Sequence, residues 1–381
     1  STPSLDNGVR VSPANSQSTP SAVVRISGNT NTGVTTLRAM AYKDGSAPTN
    51  VDTQTYLFSR DVVNQSANST IASGWPASPV NGQVFDYGLS LDGIAPNTGS
   101  YTPAEIAASL EAIPTLSVVT DQKNLTGATA GIYVNALAQG RAWERPASVE
   151  LIFPPDFEHA DGHQSGFQID AGLRIRGGWS RRPEFFKHAF RLFFRGEYGD
   201  TKLRFPLFGS EGVSDFDRVD LRSDSNLDWS RETDFNLGRQ FTFVRDVFCR
   251  DTQGAMGQPY TRSRYYHLYL NGSYWGIYQS QERPESSFGA SYFGGDPDDY
   301  DVVKCGNHAG GFATEATEGT LDAFRALWDR AREIGLRDPS DANFFALEGR
   351  GPDGRRDPAL PVLLDVDNLI DYMLVIFWSG N

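Results

Sequence analysis

Residues 172–195 read GLRIRGGWSRRPEFFKHAFRLFFR. Leu173 and Ile175 alternate with Arg174 and Arg176, and Phe190, Leu192 and Phe194 alternate with Arg191, Phe193 and Arg195. A period of two on both sides of a glycine- and arginine-rich connection predicts the two strands of a hairpin. Gly177 and Gly178 let the backbone of the connection approach a ligand closely, and unpaired amides in such a turn can form an anion-binding nest. Lys187, just beyond, supplies a point charge for phosphate oxygens. The stretch reads as a phosphate-gripping hairpin, with a surface hairpin carrying a basic tip as the alternative.

Working outward, a chain of 381 residues is long enough for two or three domains. Its 24 Phe, 15 Tyr and 7 Trp within a 39% hydrophobic share suffice for a sizeable core. The 38 Gly and 21 Pro point to many turns and an α+β layout. A formal net charge of -13 argues against a nucleic-acid partner, which needs a basic face to neutralise phosphates. No apolar run approaches the roughly 18 residues that cross a bilayer, so neither a membrane span nor a retained signal peptide is expected. The start at Ser1, without methionine, fits processing. Cys249 and Cys305 cannot form a zinc site alone; they are two thiols or one disulfide, and Cys249 on an apolar helical face favours thiols.

Residues 1 to about 30 are rich in Ser, Thr, Asn and Pro, a linker-like composition. TTLRAMAYKDG from Thr35 and NVDTQTYLF from Asn50 then read as two strands. A glycine- and proline-rich passage from Gly74 to Pro103 reads as loop. Thr102 and Pro103 predict the cap and first residue of a short helix, with Glu105 near its positive end. Strands are expected around Thr115 to Val119, Gly131 to Val134 and Ser148 to Phe153, and a helix over Phe235 to Met256. SRYYHLYL and YWGIYQS flank Asn271 and Gly272, a strong hairpin signal. Helical spacing returns at Leu321 to Ile334 and at Val366 to Phe377.

Glycine-rich hairpin, lysine, helix, two strands, acidic linker and helices follow the order of a protein-kinase-like small lobe running into a large one. The motifs carry the likeness further. DYGLS at Asp86, IPTLSVVT at Ile113, GIYVN at Gly131, WERPASVELI at Trp143 and GFQIDAGLRIRGGWSRRP at Gly166 occur in order. KHAFRLFFRGEYG at Lys187, RYYHLYLNGSYWGIYQSQERPESSF at Arg264 and YFGGDPDDYDVVK at Tyr292 follow them. With these the chain resembles the CotH (spore coat protein H) kinase family, atypical kinases among secreted bacterial proteins. The strands after Thr35 resemble, more weakly, the end of a chitobiase-type C-terminal β-module.

The resemblance implies an α+β, protein-kinase-like two-lobe fold with a small N-terminal β-sandwich-like module. It divides the chain into a linker and partial accessory module at 1–60, an N-terminal extension with the small lobe at 61–310, and the start of a helical large lobe at 311–381. It also implies transfer of the ATP γ-phosphoryl group to protein Ser/Thr hydroxyls, with Mg or Mn bridging phosphates. Arg176, Gly177, Gly178, Ser180 and Arg181 would cover the phosphates and Lys187 would contact them, with a simple pairing of Lys187 to surface carboxylates as the alternative. The backbone around Gln281 and Glu282 would take the nucleotide edge, although Glu282 also reads as a plain strand-end charge. For the glutamate that orients the lysine in kinases, the predicted helix offers Asp246 and Asp251 instead, and Asp246 equally reads as a partner of Arg245 or Arg250.

In the family, the helix resembling DVDNLIDYMLVIFWSGN leads into a catalytic loop, which the sequence given does not reach, so no catalytic residue or metal ligand is assigned and an inactive fragment is expected. Asp296, Asp298, Asp299 and Asp301 suit calcium or a solvated turn. His267 reads as a packed strand histidine. A secreted or cell-surface place, with a protein substrate or an assembly partner, completes the expectation. The alternatives are a non-catalytic extracellular structural or adhesion protein and, from the accessory module alone, a carbohydrate binder.

Overall fold

The computed structural model describes residues 9–15, 17–27, 32–87, 89, 101–155, 157, 165–223, 243–308 and 311–379. The strands in chain order are β1 Val34–Ala39, β2 Asp52–Leu57, β3 Thr115–Val119, β4 Arg145–Ile152, β5 Gln168–Arg176, β6 Ala189–Phe193 and β7 Leu203–Arg204. They continue with β8 Asp215–Phe216, β9 Arg218–Arg222, β10 Ser263–Leu270, β11 Ser273–Gln281, β12 Val302–His308 and β13 Gly311–Glu318. With the helices between and after them, the chain is a mixed α+β protein.

Alternation decides which side chains meet. Ile169, Ala171, Leu173 and Ile175 of β5 point one way and pack with Phe190 and Leu192 of β6, Val219 and Leu221 of β9, and Val149 of β4 in one buried cluster. The sheet that buries them closes on itself in the order β10-β11-β9-β6-β5-β4-β3, a seven-strand barrel. Its neighbours are antiparallel except at the seam, where β3 runs parallel to β10 with Thr115 opposite His267. A period-two pattern reveals faces but not partners, so this closure is not foreseen by the sequence reading. Asn271 and Gly272, both at positive φ, make the tight turn between β10 and β11 as expected.

Two other expectations are corrected. Gly131 to Val134 is a turn, not a strand. The N–H groups of Gly131, Ile132 and Tyr133 donate to Gly127, Asn124 and Leu125 carbonyls, which drives Ile132 and Tyr133 into the barrel core. Instead of a sandwich-like N-terminal module, the described residues hold a two-stranded ribbon, β1 with β2. It is bound to the barrel. Val34 packs with Val62, Leu110 and Tyr269, and Thr55 N–H donates to Glu150 Oε2 at 2.8 Å. Helix Pro103–Leu110 starts where the sequence places it, with Thr102 and Glu105 capping each other's backbone N–H.

The chain divides into two compact units, Ser1–Arg239 with Ser263–Gln281, and Gln240–Arg262 with Glu282–Asn381. The first contains the barrel. The second holds the β12–β13 ribbon and helices Arg245–Ala255, Ser286–Phe293, Asp322–Leu336, Asp341–Leu347 and Val366–Ser379. Helix Arg245–Ala255 covers the described part of the helix expected over 235–256, since 235–242 lie outside the described residues. It packs on the last helix through Phe248 and Trp378, and Gln258 joins Asp371 and Asn368. Cys249 is buried, Cys305 is exposed, and both are free thiols. Among the described residues no helix is long and apolar enough to cross a membrane.

Candidate functional site

The candidate site is built on the connection between β5 and β6, whose register sets Arg174 opposite Arg191 and Arg176 opposite Ala189. Gly177 sits at φ +108°, and a Cβ there would lie 2.2 Å from Ser180 Oγ, so glycine is needed for the chain to turn back at this point. A single 3₁₀ turn, Trp179–Arg181, follows. Its hydrogen bonds run from Arg181 N–H to Gly178 O and from Arg182 N–H to Trp179 O. The amides of Gly178, Trp179 and Ser180 are therefore left without an intramolecular acceptor among the described residues.

The arginines of the stretch are engaged by the fold. Arg181 is buried, and its guanidinium donates to the carbonyls of Gly177, Ile175, Ala136 (2.8 Å) and Ala138 (3.0 Å). Burial, then the neighbouring Arg191, Arg176 and Arg174, brings its pKa down to about 10. Arg176 donates to Asp220 at 2.7 Å, and Asp220 also takes Arg191 in a forked pair. Those partners hold the buried Asp220 carboxyl below its ordinary range against the burial that pushes it up. Arg182 lies over the exposed Trp179 ring, 3.4 Å from its centroid.

Lys187 is presented differently. The residues before β6 have no repeating backbone pairing, yet each carbonyl is caught by a side chain from elsewhere in the barrel unit. Gln83 Nε2 donates to Phe185 O (2.8 Å), Tyr133 OH to Phe186 O (2.6 Å), Ser223 OH to Lys187 O (3.2 Å) and Tyr278 OH to His188 O (2.9 Å). Tyr133 OH in turn accepts from His188 N–H and from Trp275 Nε1, both at 3.2 Å. His188 is fully buried, with Nδ1 2.9 Å from Ser180 O and Nε2 2.7 Å from Gln83 Oε1, so it ties the turn to the start of β6. Burial holds its pKa down at about 4, so near neutral pH the ring is uncharged and its single N–H donates to one of these two oxygens at a time.

On this support the Lys187 ammonium lies 4.0 Å from the centroid of the Trp275 ring and donates to Asp86 O at 2.6 Å. Desolvation lowers its pKa to about 8 despite the pull of the Asp86 carboxylate. An ammonium has three N–H donors, and one hydrogen bond and one ring face leave capacity for an anion. Trp275 is itself rigid, stacked on Trp75 at 4.5 Å and edge-on to Tyr133 at 5.5 Å.

The remaining candidates fall elsewhere. Gln281 ends β11 opposite Asp220 and accepts from Arg222 at 3.1 Å. Glu282, in the second unit, is buried; its carboxylate takes Arg262 at 3.1 Å and the Tyr292 hydroxyl, and its N–H donates to Arg262 O. Asp246 pairs with Arg250 one helical turn on, at 2.9 Å. Asp299 accepts from Asp296 N–H and holds a local turn, while Asp301 accepts from Thr320 N–H and ties the start of β12 to the chain just past β13. Among the described residues no group of three or more His, Cys, Asp or Glu is placed to hold a metal ion. His267 is a packed histidine, bonded to Tyr274 OH (3.1 Å) and Ser109 O (2.9 Å).

Sequence reasoning named Lys187 but missed Gln83, Asp86, Tyr133, Ser223, Trp275 and Tyr278 around it. Asp86, Tyr133, Trp275 and Tyr278 all stand in motifs quoted for the resemblance, which is the signal that could have found them; Gln83 and Ser223 carry none. No curated protein matches the chain. A family model described as CotH kinase protein matches residues 173–381, from the hairpin onward. That match spans more than half of the sequence, and the chain belongs to the CotH kinase family, with a kinase-related function.

Proposed function

We propose that this protein binds ATP and serves transfer of its γ-phosphoryl group to Ser or Thr hydroxyls of a protein substrate, from a secreted or cell-surface position in a bacterium. In that reaction the bond from the γ-phosphorus to the β,γ-bridging oxygen breaks as one to the acceptor oxygen forms, and the protein's work is positioning and charge neutralisation. One observation carries the reading: a desolvated lysine with unspent donors, held over an indole by a segment whose every carbonyl is fixed.

Within the proposal, Lys187 contacts phosphate, and the open amides of Gly178 and Ser180, with the Ser180 hydroxyl, are further donors on the turn that Gly177 permits. Arg176 and Arg181 shape that turn from behind, since their donors are engaged by Asp220 and by carbonyls. The proposal takes helices Asp322–Leu336, Asp341–Leu347 and Val366–Ser379 as the start of a kinase-like second lobe. Mg or Mn supplies neutralisation of the phosphates when bound; the described residues hold no cluster that fits it, so no step here runs through the metal. The same engagement of Arg176 and Arg181 is what favours the second reading, a non-catalytic extracellular assembly protein on this fold.

The experiment is ATP binding by titration calorimetry with and without Mg. A charged hydrogen bond to phosphate is worth about 1.5–3 kcal/mol, so Lys187→Ala should weaken binding roughly tenfold to a hundredfold. Wild-type affinity should also fall as pH rises through about 8, where the ammonium loses its proton. No measurable ATP binding by the wild-type protein, with or without metal, would leave the assembly reading standing.

A further inference from the structure

The outer wall of the barrel carries a second basic arrangement that the kinase reading does not use. Gly172 and Arg174 of β5 face outward, as do Phe193 of β6 and Arg195 just past it. A Cβ on Gly172 would come within 2.5 Å of Glu144 Oε1, so glycine at this position lets the Glu144 carboxylate lie flat on the strand. That carboxylate is 1% exposed and gathers three guanidiniums. Arg141 Nη1 donates to it, Arg174 Nη2 lies 2.6 Å from Oε2, and Arg195 Nε lies 3.2 Å from Oε1. Tyr198 OH donates to Oε1 at 3.0 Å, and the other fork of Arg141 takes Glu197.

Charge and donors are both left over. Arg141, Arg174 and Arg195 against Glu144 and Glu197 leave one positive charge, inside a protein whose net charge is -13. The guanidiniums of Arg174 and Arg195 lie on the Phe193 ring, 4.3 and 4.9 Å from its centroid, which fixes their planes. Arg174 Nε, Arg195 Nε and Glu144 Oε2 are buried within these ion pairs without well-formed hydrogen bonds, whereas the Nη groups of the part-exposed Arg195 meet no protein acceptor among the described residues and are the donors open to a ligand. Burial is the main cause that lowers the Arg174 pKa; Glu144 opposes it, and Arg195 and Arg141 add smaller lowering contributions.

We propose that Arg174 and Arg195, carried on Phe193, form an oxyanion site on the outer barrel wall that takes a phosphoryl dianion. A tetrahedral dianion matches two planar forks better than a single carboxylate does, and it neutralises the excess charge. Arg174 lies opposite Arg191, four residues along from Lys187, and Arg195 lies eight along, roughly 13 and 26 Å at the rise of a strand, and the site does not rest on the phosphotransfer reading. Free phosphate and a phosphorylated side chain share this chemistry.

The test is calorimetric and thermal-shift titration of the full chain with inorganic phosphate against chloride at equal ionic strength. It is run in a Lys187→Ala background so that the ammonium contributes nothing. Saturable binding is expected, weakened at least tenfold by Arg195→Ala and restored only in part by Arg195→Lys, whose point charge lacks the fork. Glu144→Gln removes the competing carboxylate and should tighten phosphate binding; a merely structural cluster would lose stability that phosphate does not restore. Amide-blocked phosphoserine binding more tightly than inorganic phosphate identifies a phosphorylated side chain as the ligand, and equal affinity identifies free phosphate. Absence of a saturable phosphate effect overturns the proposal, as does Arg195→Ala titrating like its parent. Should Arg195→Ala fail to fold, the parent compared with Arg195→Lys gives the same decision.

Discussion

Arg181 separates a structural arginine from a ligand-gripping one, and Arg181→Met is the perturbation that tells them apart. Methionine keeps the length of the stem but donates nothing. Of the four carbonyls the guanidinium serves, those of Ala136 and Ile175 are bonded where solvent does not reach. Each buried acceptor left without a donor costs about 1–3 kcal/mol, and removing a charge that was desolvated beside other arginines returns part of the loss. A net destabilisation of about 3 kcal/mol follows, near the lower half of the range for two orphaned acceptors. At about 2.1 cal/mol/K of unfolding entropy per residue, that lowers the Tm of a 381-residue chain unfolding as one unit by roughly 4 °C. Denaturant and thermal unfolding measure it, and Arg181→Lys should fall between the two, since one ammonium cannot span four carbonyls on two stretches of chain. The reasoning fails if Arg181→Met unfolds like the wild type and loses ATP binding, because the guanidinium would then be held for phosphate.

The support of Lys187 has its own pH signature. An unfolded histidine protonates near 6.5 while His188 resists until about 4, so its contribution to stability is complete above pH 6.5 and is lost as pH falls toward 4, up to about 3 kcal/mol. Unfolding of His188→Asn should lack that part of the slope; equal slopes in the two proteins would remove His188 from the account. At Gly177, alanine must adopt φ +108°, which costs about 1–3 kcal/mol, and the clash with Ser180 Oγ adds to it. Gly177→Ala combined with Ser180→Ala should therefore stay destabilised in a thermal melt, and full recovery would show that the backbone at this position is not strained.

What the sequence exposed, and what it hid, follow from the range of the interactions. The β5–β6 and β10–β11 hairpins were legible because period-two alternation and an Asn-Gly turn act within a few residues. The helix at Pro103 was legible for the same reason, through Thr102 and Glu105. Barrel closure was hidden because β3 and β10 lie far apart in the chain, and nothing local to either names the other. Gly131 to Val134 misled because a buried turn and a buried strand both show consecutive apolar residues. The basic residues at 174–187 were visible as charges, but their division of labour was not. An arginine fork reaches several carbonyls at once and so serves as mortar, as Arg181 does; lysine, with one compact ammonium, is poorly suited to that work. A lysine left over an indole with a single carbonyl partner, on a backbone gripped by Gln83, Tyr133, Ser223 and Tyr278, adds no comparable bonding to the fold. Its desolvation costs stability, and under the proposed function that cost is offset when phosphate is bound. Under the proposed function, phosphate contact beside this turn rests on that one amine, while Arg176 and Arg181 hold the turn itself through Asp220 and the carbonyls they serve.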